Sequence, residues 1–204
     1  MGRKKVHEDK RALILGAADL LFKTLGYDRT TVEDIAQEAG ISKASVYLEF
    51  RSKEDILNGV ILSFFSQENE KMALVAAQTH LVAMDALKGM LVEYSRSLQS
   101  RASQQRLASG QNTAAFPVMQ KLRTPIFHHQ MSKIPQIIEG MLRQAADRGE
   151  ILAQKDYKRL SGFLFITTMM LSAPPPPFIN QAAGAAYVED SLDLILAGLK
   201  VIRK

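Results

Sequence analysis

Apolar residues recur at intervals of three and four along most of this chain, the period of helices that turn one face inward. Ile14, Ala18, Leu21, Phe22 and Leu25 form the first stripe. They predict a helix over 10–25 that follows a disordered polar tail, residues 1–8, and ends at Gly26. Val32, Ile35, Ala36 and Ala39 mark a second, short helix, and Val46 with Phe50 a third. A fourth opens at Ser52, where Ser52 and Asp55 approximate a capping box, carries Ile56, Leu57, Val60, Ile61, Phe64 and Phe65, and extends to Ala76. Leu87, Met90, Leu91 and Tyr94 place another over 81–98. Residues 99–113 are polar and read as a loop or a weak helix, and Pro117 and Pro125 cut 116–131 into one or two short helices. Pro135 suits the first turn of a helix that runs to Arg148, before Gly149. The second half of 156–173 is apolar all round, which predicts burial on every side. Pro174 to Pro177 form a stiff extended spacer, and Val188, Leu192, Ile195, Leu196 and Leu199 carry a last helix over 185–202. Period-two alternation, repeats and coiled-coil heptads are absent, so the fold class is all-α, with about nine helices.

The densest local signals fall in Thr31–Phe50. The Thr31 hydroxyl can accept from a first-turn N–H, and Asp34 sits where a carboxylate meets the positive end of a helix dipole. Gly40 can take the left-handed backbone that stops a helix, and Ser42 can cap the next one. Two short helices around a glycine turn of about three residues make a helix-turn-helix. The second helix of such a pair can enter the DNA major groove.

Flanking residues extend the pattern. Ala18, Leu21, Phe22, Gly26 and Tyr27 precede it, and Ser52, Lys53 and Glu54 follow. Within it stand Thr30-Thr31-Val32, Asp34-Ile35-Ala36, Ala39-Gly40-Ile41-Ser42-Lys43, Val46-Tyr47 and Phe50. On these residues, 12–57 resembles the tetracycline-repressor (TetR) family of DNA-binding regulators. The resemblance implies an N-terminal three-helix DNA-binding domain, 1–52, with its recognition helix over 42–49. A helical ligand-binding and dimerisation domain, 53–204, would follow. Its last two helices, 156–173 and 185–202, would pair with their copies in a second subunit. The implied function is a repressor that binds a palindromic operator as a homodimer and is released by a small, largely apolar molecule. Dimerisation also has a physical reason, since one recognition helix reads too few base pairs to find one site in a genome.

If Val46 and Phe50 are inside, then Lys43, Ala44, Ser45, Tyr47 and Leu48 are left for DNA. Lys43 can bind a phosphate or a guanine edge, Ala44 permits close approach, and Leu48 can touch a thymine methyl. Tyr47 can set its phenol on a phosphate, and Thr31 stands at a helix N-terminus, which suits phosphate as well. Lys53 is placed for a second phosphate. The resemblance supports Thr31, Lys43, Ser45, Tyr47 and Lys53 in these roles. Glu49 departs from the family, which often has Tyr or His there on a phosphate. Glu49 either accepts from a cytosine amino group or, the commoner arrangement, pairs with Arg51 or Lys53 and stays off the DNA.

Charge refines this picture without carrying it. The chain of 204 residues has a net charge of +5 and a pI of about 9.4, a modest lean towards nucleic acid. Over residues 1–55, however, ten basic and ten acidic residues cancel. Arg3, Lys4 and Lys5 can reach phosphates or a minor groove as a basic arm. Cysteine is absent, which excludes disulfides and thiolate zinc sites. No apolar run is long enough to span a bilayer, and the charged N-terminus lacks the core of a secretory signal, so a cytoplasmic protein is expected.

Nine Met and nine Phe supply adaptable lining for an apolar or aromatic ligand. The candidates are Phe64, Met90, Tyr94, Phe116, Met119, Phe127, Met131 and Phe163, although plain core is the commoner role for each. His128 and His129 are neighbours that would point about 100° apart on a helix, a poor arrangement for one metal ion, so no metal and no cofactor is expected. No G-x-S-x-G, P-loop or G-x-G-x-x-G is present, and an enzyme is not expected. The alternative is a helical adaptor or architectural protein that keeps the fold without sequence-specific DNA binding. Neutral charge over 1–55 and Glu49 favour that alternative.

Overall fold

The computed structural model describes residues 2–77, 82–109, 125–173 and 184–199. Eight helices stand among them: α1 (Gly2–Thr24), α2 (Val32–Glu38), α3 (Lys43–Glu49), α4 (Lys53–Ala76), α5 (Ala83–Ser109), α6 (Pro125–Asp147), α7 (Tyr157–Leu171) and α8 (Gly184–Ala197). The described residues hold no sheet. Packing divides the chain within α4, between Ser66 and Gln67, and again within α5, between Ser100 and Arg101. Residue 52, the boundary read from the motif, immediately precedes α4.

The first unit holds α1, α2, α3, the first half of α4 and the end of α5. Its core is made by Ile14, Ala18 and Phe22 of α1, Val32, Ile35 and Ala36 of α2, Val46 and Phe50 of α3 and its cap, and Ile56 and Val60 of α4. Gly59 permits the close approach of α4. A Cβ there would meet Leu15 Cδ2 at 2.7 Å and the Phe50 ring at 3.1 Å. Arg101 joins α5 to this unit, pairing with Asp19 at 3.0 Å and lying 4.6 Å over the Phe64 ring.

The second unit is built on α5, α6, α7, α8 and the end of α4. Leu87, Met90, Leu91 and Tyr94 meet Ile134, Ile138, Met141, Leu142 and Ala145, with Leu164, Phe165, Val188, Leu192 and Leu196 closing the core. The Glu150 carboxylate caps α5 from a distant part of the chain, accepting from the N–H groups of Ala83 (3.1 Å) and Met84 (2.9 Å). Those first-turn donors have no partner within the helix, and a carboxylate also suits the dipole there.

Several expectations are corrected. Helix α1 begins at Gly2, so residues 2–8 are helical rather than a disordered tail; no Gly or Pro between Arg3 and Leu15 stops the helix from propagating backwards. Of the two readings of 99–113, loop or weak helix, the helix holds as far as Ser109, where α5 ends. Pro125 occupies the first helical position, where the missing N–H costs nothing, but Pro135 lies inside α6 rather than at its start. The lost backbone bond is offset by the buried stripe on either side, Ile134 and Ile138. Helix α7 buries Leu164, Phe165 and Thr168 but exposes Phe163, Ile166 and Met170, so it is covered on one side only. The Pro174–Pro177 spacer lies outside the described residues.

Candidate nucleic-acid interface

The two short helices of the motif are held by their caps. Thr31 has extended backbone, its Oγ1 accepts from Asp34 N–H at 3.1 Å, and its own N–H donates to Asp34 Oδ2 at 2.8 Å, so the capping box is complete. The Thr31 hydroxyl also donates to the same carboxylate oxygen at 2.7 Å, and these bonds hold the Asp34 carboxyl below its usual pKa. Helix α2 stops at Ala39, and Gly40 takes φ of 66°, which returns the Ile41 N–H to the Ala36 carbonyl at 3.0 Å. Ser42 then caps α3, accepting from Ser45 N–H at 3.1 Å.

This geometry decides which side of α3 is free. Val46 and Phe50 are buried, and the Arg11 guanidinium lies 4.1 Å over the Phe50 ring while donating to the Glu49 carbonyl at 3.1 Å. That clamp ties α1 to the end of the recognition helix. On the opposite side Lys43 and Ala44 are exposed, Tyr47 is 48% exposed and Leu48 is 82% exposed, while Ser45 is half-buried. Thr31 is exposed at the start of α2.

Two residues carry constraints that the motif does not express. Lys43 pairs with Glu33 of α2, both about half-exposed, and its ammonium lies 5.9 Å from the Tyr47 ring centroid. Lys53 is already engaged within the fold. Its ammonium donates to the carbonyls of Tyr27 (2.8 Å), Thr30 (2.9 Å) and Asp28 (3.5 Å) and sits 4.3 Å from the Tyr27 ring centroid. An ammonium has three donors, and here all three close the loop between α1 and α2. Lys53 therefore holds the loop that leads into Thr31. Arg11 escaped sequence reasoning because the groups it bridges are distant in the chain. The one available signal was its place one turn ahead of the first stripe.

The family described as bacterial regulatory proteins, tetR family, matches residues 14–60, the segment that carries α2, the glycine turn and α3. Residues 14–60 are a tetR-family DNA-binding segment. It is 45% identical over 58 residues to the HTH-type transcriptional regulator YfiR of Bacillus subtilis, a match that spans 28% of each chain. It is 29% identical over 170 residues to the HTH-type regulator Rv1556 of Mycobacterium tuberculosis, covering 79% of this chain and 77% of that one. IcaR of Staphylococcus aureus, a negative transcriptional regulator of a biofilm operon, is 33% identical over 88 residues, which cover 43% of this chain and 47% of IcaR. Among solved structures, a tetR-family regulator of Pectobacterium atrosepticum superposes with a TM-score of 0.72 at 16% identity over the whole of both chains. FadR of Bacillus subtilis in complex with stearoyl-CoA superposes with a TM-score of 0.63 at 21% identity, covering 92% of this chain and 98% of that one. These two likenesses establish the fold.

The expected ligand residues separate. Met90 and Tyr94 are buried together in the second unit, and Met131 is half-buried against the same core. Phe64 belongs to the first unit, edge-on to Phe65 at 5.3 Å. Phe163 is 54% exposed. Its place on the outer side of α7 was invisible to periodicity, because that helix is apolar all round. Phe116 and Met119 lie outside the described residues, as does the side chain of Phe127. None of the described helices is long and apolar enough to cross a membrane.

Proposed function

We propose that the chain is a ligand-responsive repressor that binds a palindromic operator as a homodimer through the exposed side of α3. The observation that carries this reading is the split character of that helix: Val46 and Phe50 lock it to the core, while Ala44, Tyr47 and Leu48 face outward. Ala44 admits the helix to the groove, Leu48 meets a thymine methyl, and Tyr47 sets its phenol against phosphate. Lys43 leaves Glu33 for phosphate or a guanine edge, and an exposed ion pair is weak enough to allow the exchange. Ser45 bonds to whichever group lies beside it. Thr31 stands exposed at the N-terminus of α2, a position that suits a phosphate.

The homodimer is supported by the outward apolar residues of α7 and α8, Phe163, Ile166, Met170, Tyr187 and Leu194. A second copy that covers them would set two recognition helices at half-sites about one helical turn apart. Repression follows the sense of IcaR, a negative regulator. An apolar effector suits the Met- and aromatic-containing core of the second unit, and the FadR structure holds a long-chain acyl ligand. The effector acts only through unequal affinity for the DNA-competent and DNA-free forms.

The test is a selection of bound DNA from a random pool with purified protein. Recovered sequences should share a palindrome, binding should survive competitor DNA, and it should weaken with salt. Tyr47→Ala should lose at least about tenfold in operator affinity with its melting temperature retained. Recovery of unrelated sequences would favour the adaptor reading instead.

A further inference from the structure

The recognition helix is fixed at its start and middle by its own residues, but its end is fixed from elsewhere. Ser42 caps the first turn, and Val46 is fully buried. The last turn carries no basic residue and closes on Glu49, an acid at the negative end of the helix dipole. The last carbonyls of a helix have no partner within it. The Val46 carbonyl receives the Phe50 N–H at 2.9 Å, and the Glu49 carbonyl receives Arg11 of α1 at 3.1 Å. The same guanidinium lies 4.1 Å over the Phe50 ring. That ring is a fixed platform, since Phe50 is 1% exposed and a Cβ at Gly59 of α4 would come within 3.1 Å of it. A guanidinium combines charge, a rigid fork of donors and affinity for a ring face. An ammonium offers a compact, rotating charge, so lysine at position 11 would keep the charge without holding both contacts in one geometry.

We propose that Arg11 is a positioning residue for operator recognition. It sets the angle of the end of α3, where Tyr47 and Leu48 face outward, without itself reading the DNA. This assignment rests on the operator-binding reading and names a residue outside 14–60 on which its selectivity depends. Non-specific binding draws on phosphate charge and tolerates a shift of the helix, whereas base contacts need it at a fixed depth and angle. Leu48 directly precedes the residue whose carbonyl is clamped, so release of Arg11 moves Leu48 and Tyr47 most. Lys43 and Ala44, at the capped start of the helix, move least. Two other roles predict different behaviour. A phosphate contact would act through charge, which lysine supplies equally. A purely structural contact would weaken all DNA binding alike by lowering stability. Arg11 is exposed, and exposed contacts of this kind contribute little to stability, so its loss leaves the fold in place.

The experiment compares the full chain with Arg11→Lys and Arg11→Met. The palindrome selected by the unaltered protein and a scrambled duplex of equal length are titrated with each variant at low and high salt. Arg11→Lys should lose about tenfold in palindrome affinity, the effect of roughly one mismatched base pair. Its affinity for the scrambled duplex, its salt slope and its melting temperature should be retained. Arg11→Met should lose at least as much on the palindrome. In the free protein, hydrogen exchange at the Phe50 amide should quicken several-fold in both variants. If Arg11→Met does not fold, Arg11→Lys decides alone. Palindrome affinity kept in Arg11→Lys would overturn the assignment, and a shallower salt slope in Arg11→Met would then make Arg11 a phosphate contact. Equal losses on both duplexes, or unchanged exchange at Phe50, would overturn it as well. A palindrome bound equally by all three proteins removes this assignment alone. Failure of the unaltered chain to select any palindrome removes the operator reading, and the assignment with it, while the exchange result stands by itself.

Discussion

At the scale of single residues, backbone conformation and burial set firm expectations. Gly40 has φ of 66°, and the place a Cβ would take there has no neighbour within 4 Å, so a substitution meets only backbone strain. Gly40→Ala should destabilise the first unit by about 1 kcal/mol, and Gly40→Asn by less, because Asn tolerates the left-handed region better. Thermal melts of the two variants check the order. Tyr94 gives a pH dependence of known sign. Its folded pKa lies above the ordinary 10.0, chiefly through burial and then through the Glu68 charge. The unfolded chain therefore releases this proton first. Stability is full below pH 10 and falls as the pH rises from there towards the folded value. Tyr94→Phe should flatten that alkaline limb, measured as melting temperature between pH 9 and about 11. Asp34 works in the opposite direction, since its depressed pKa contributes above the usual carboxylate range and is lost in acid.

At the scale of elements, α2 and α3 act as one piece. Each has only seven residues, too short to persist alone, and they depend on Thr31, Ser42 and the buried stripe between them. The Glu33–Lys43 pair bridges their exposed sides and holds an anion where the phosphate backbone would approach. Glu33→Gln should therefore raise operator affinity several-fold at low salt, with the gain fading as salt rises. Gel shifts at two ionic strengths measure this, and an unchanged affinity would show that Lys43 contributes nothing to DNA binding. Helices α4 and α5 each pass from one unit into the other. On α5, Tyr94 and Arg101 are two turns apart, the first buried in the core of the second unit and the second paired with Asp19 of α1.

At the scale of the whole molecule, the single chain leaves apolar surface that its own core does not use. Phe163, Ile166 and Met170 form one stripe on α7, and Tyr187 and Leu194 lie at helical spacing on α8. Ile166→Glu would place a charge in a buried interface if two copies meet there. It should yield a monomer by light scattering, with its melt largely retained and operator binding lost by about two orders of magnitude. A dimer that persists in Ile166→Glu would move the interface elsewhere.

The helical period, the stop at Gly40, the caps at Thr31 and Ser42 and the inward pair Val46 and Phe50 were all legible in the chain, because each depends on residues within a turn or two of one another. The family resemblance rests on the same local chemistry. Other features needed the folded molecule. Lys53 has the sequence position of a phosphate contact, yet its three donors close a loop that lies far back in the chain. Pro135 looks like a helix start, yet tertiary burial around it carries α6 straight through. The outward side of α7 and the seat of Arg11 on Phe50 likewise depend on which distant groups arrive beside them. Local hydrogen bonding and apolar spacing are properties of neighbouring residues, whereas the satisfaction of a charged side chain is a property of the packed whole.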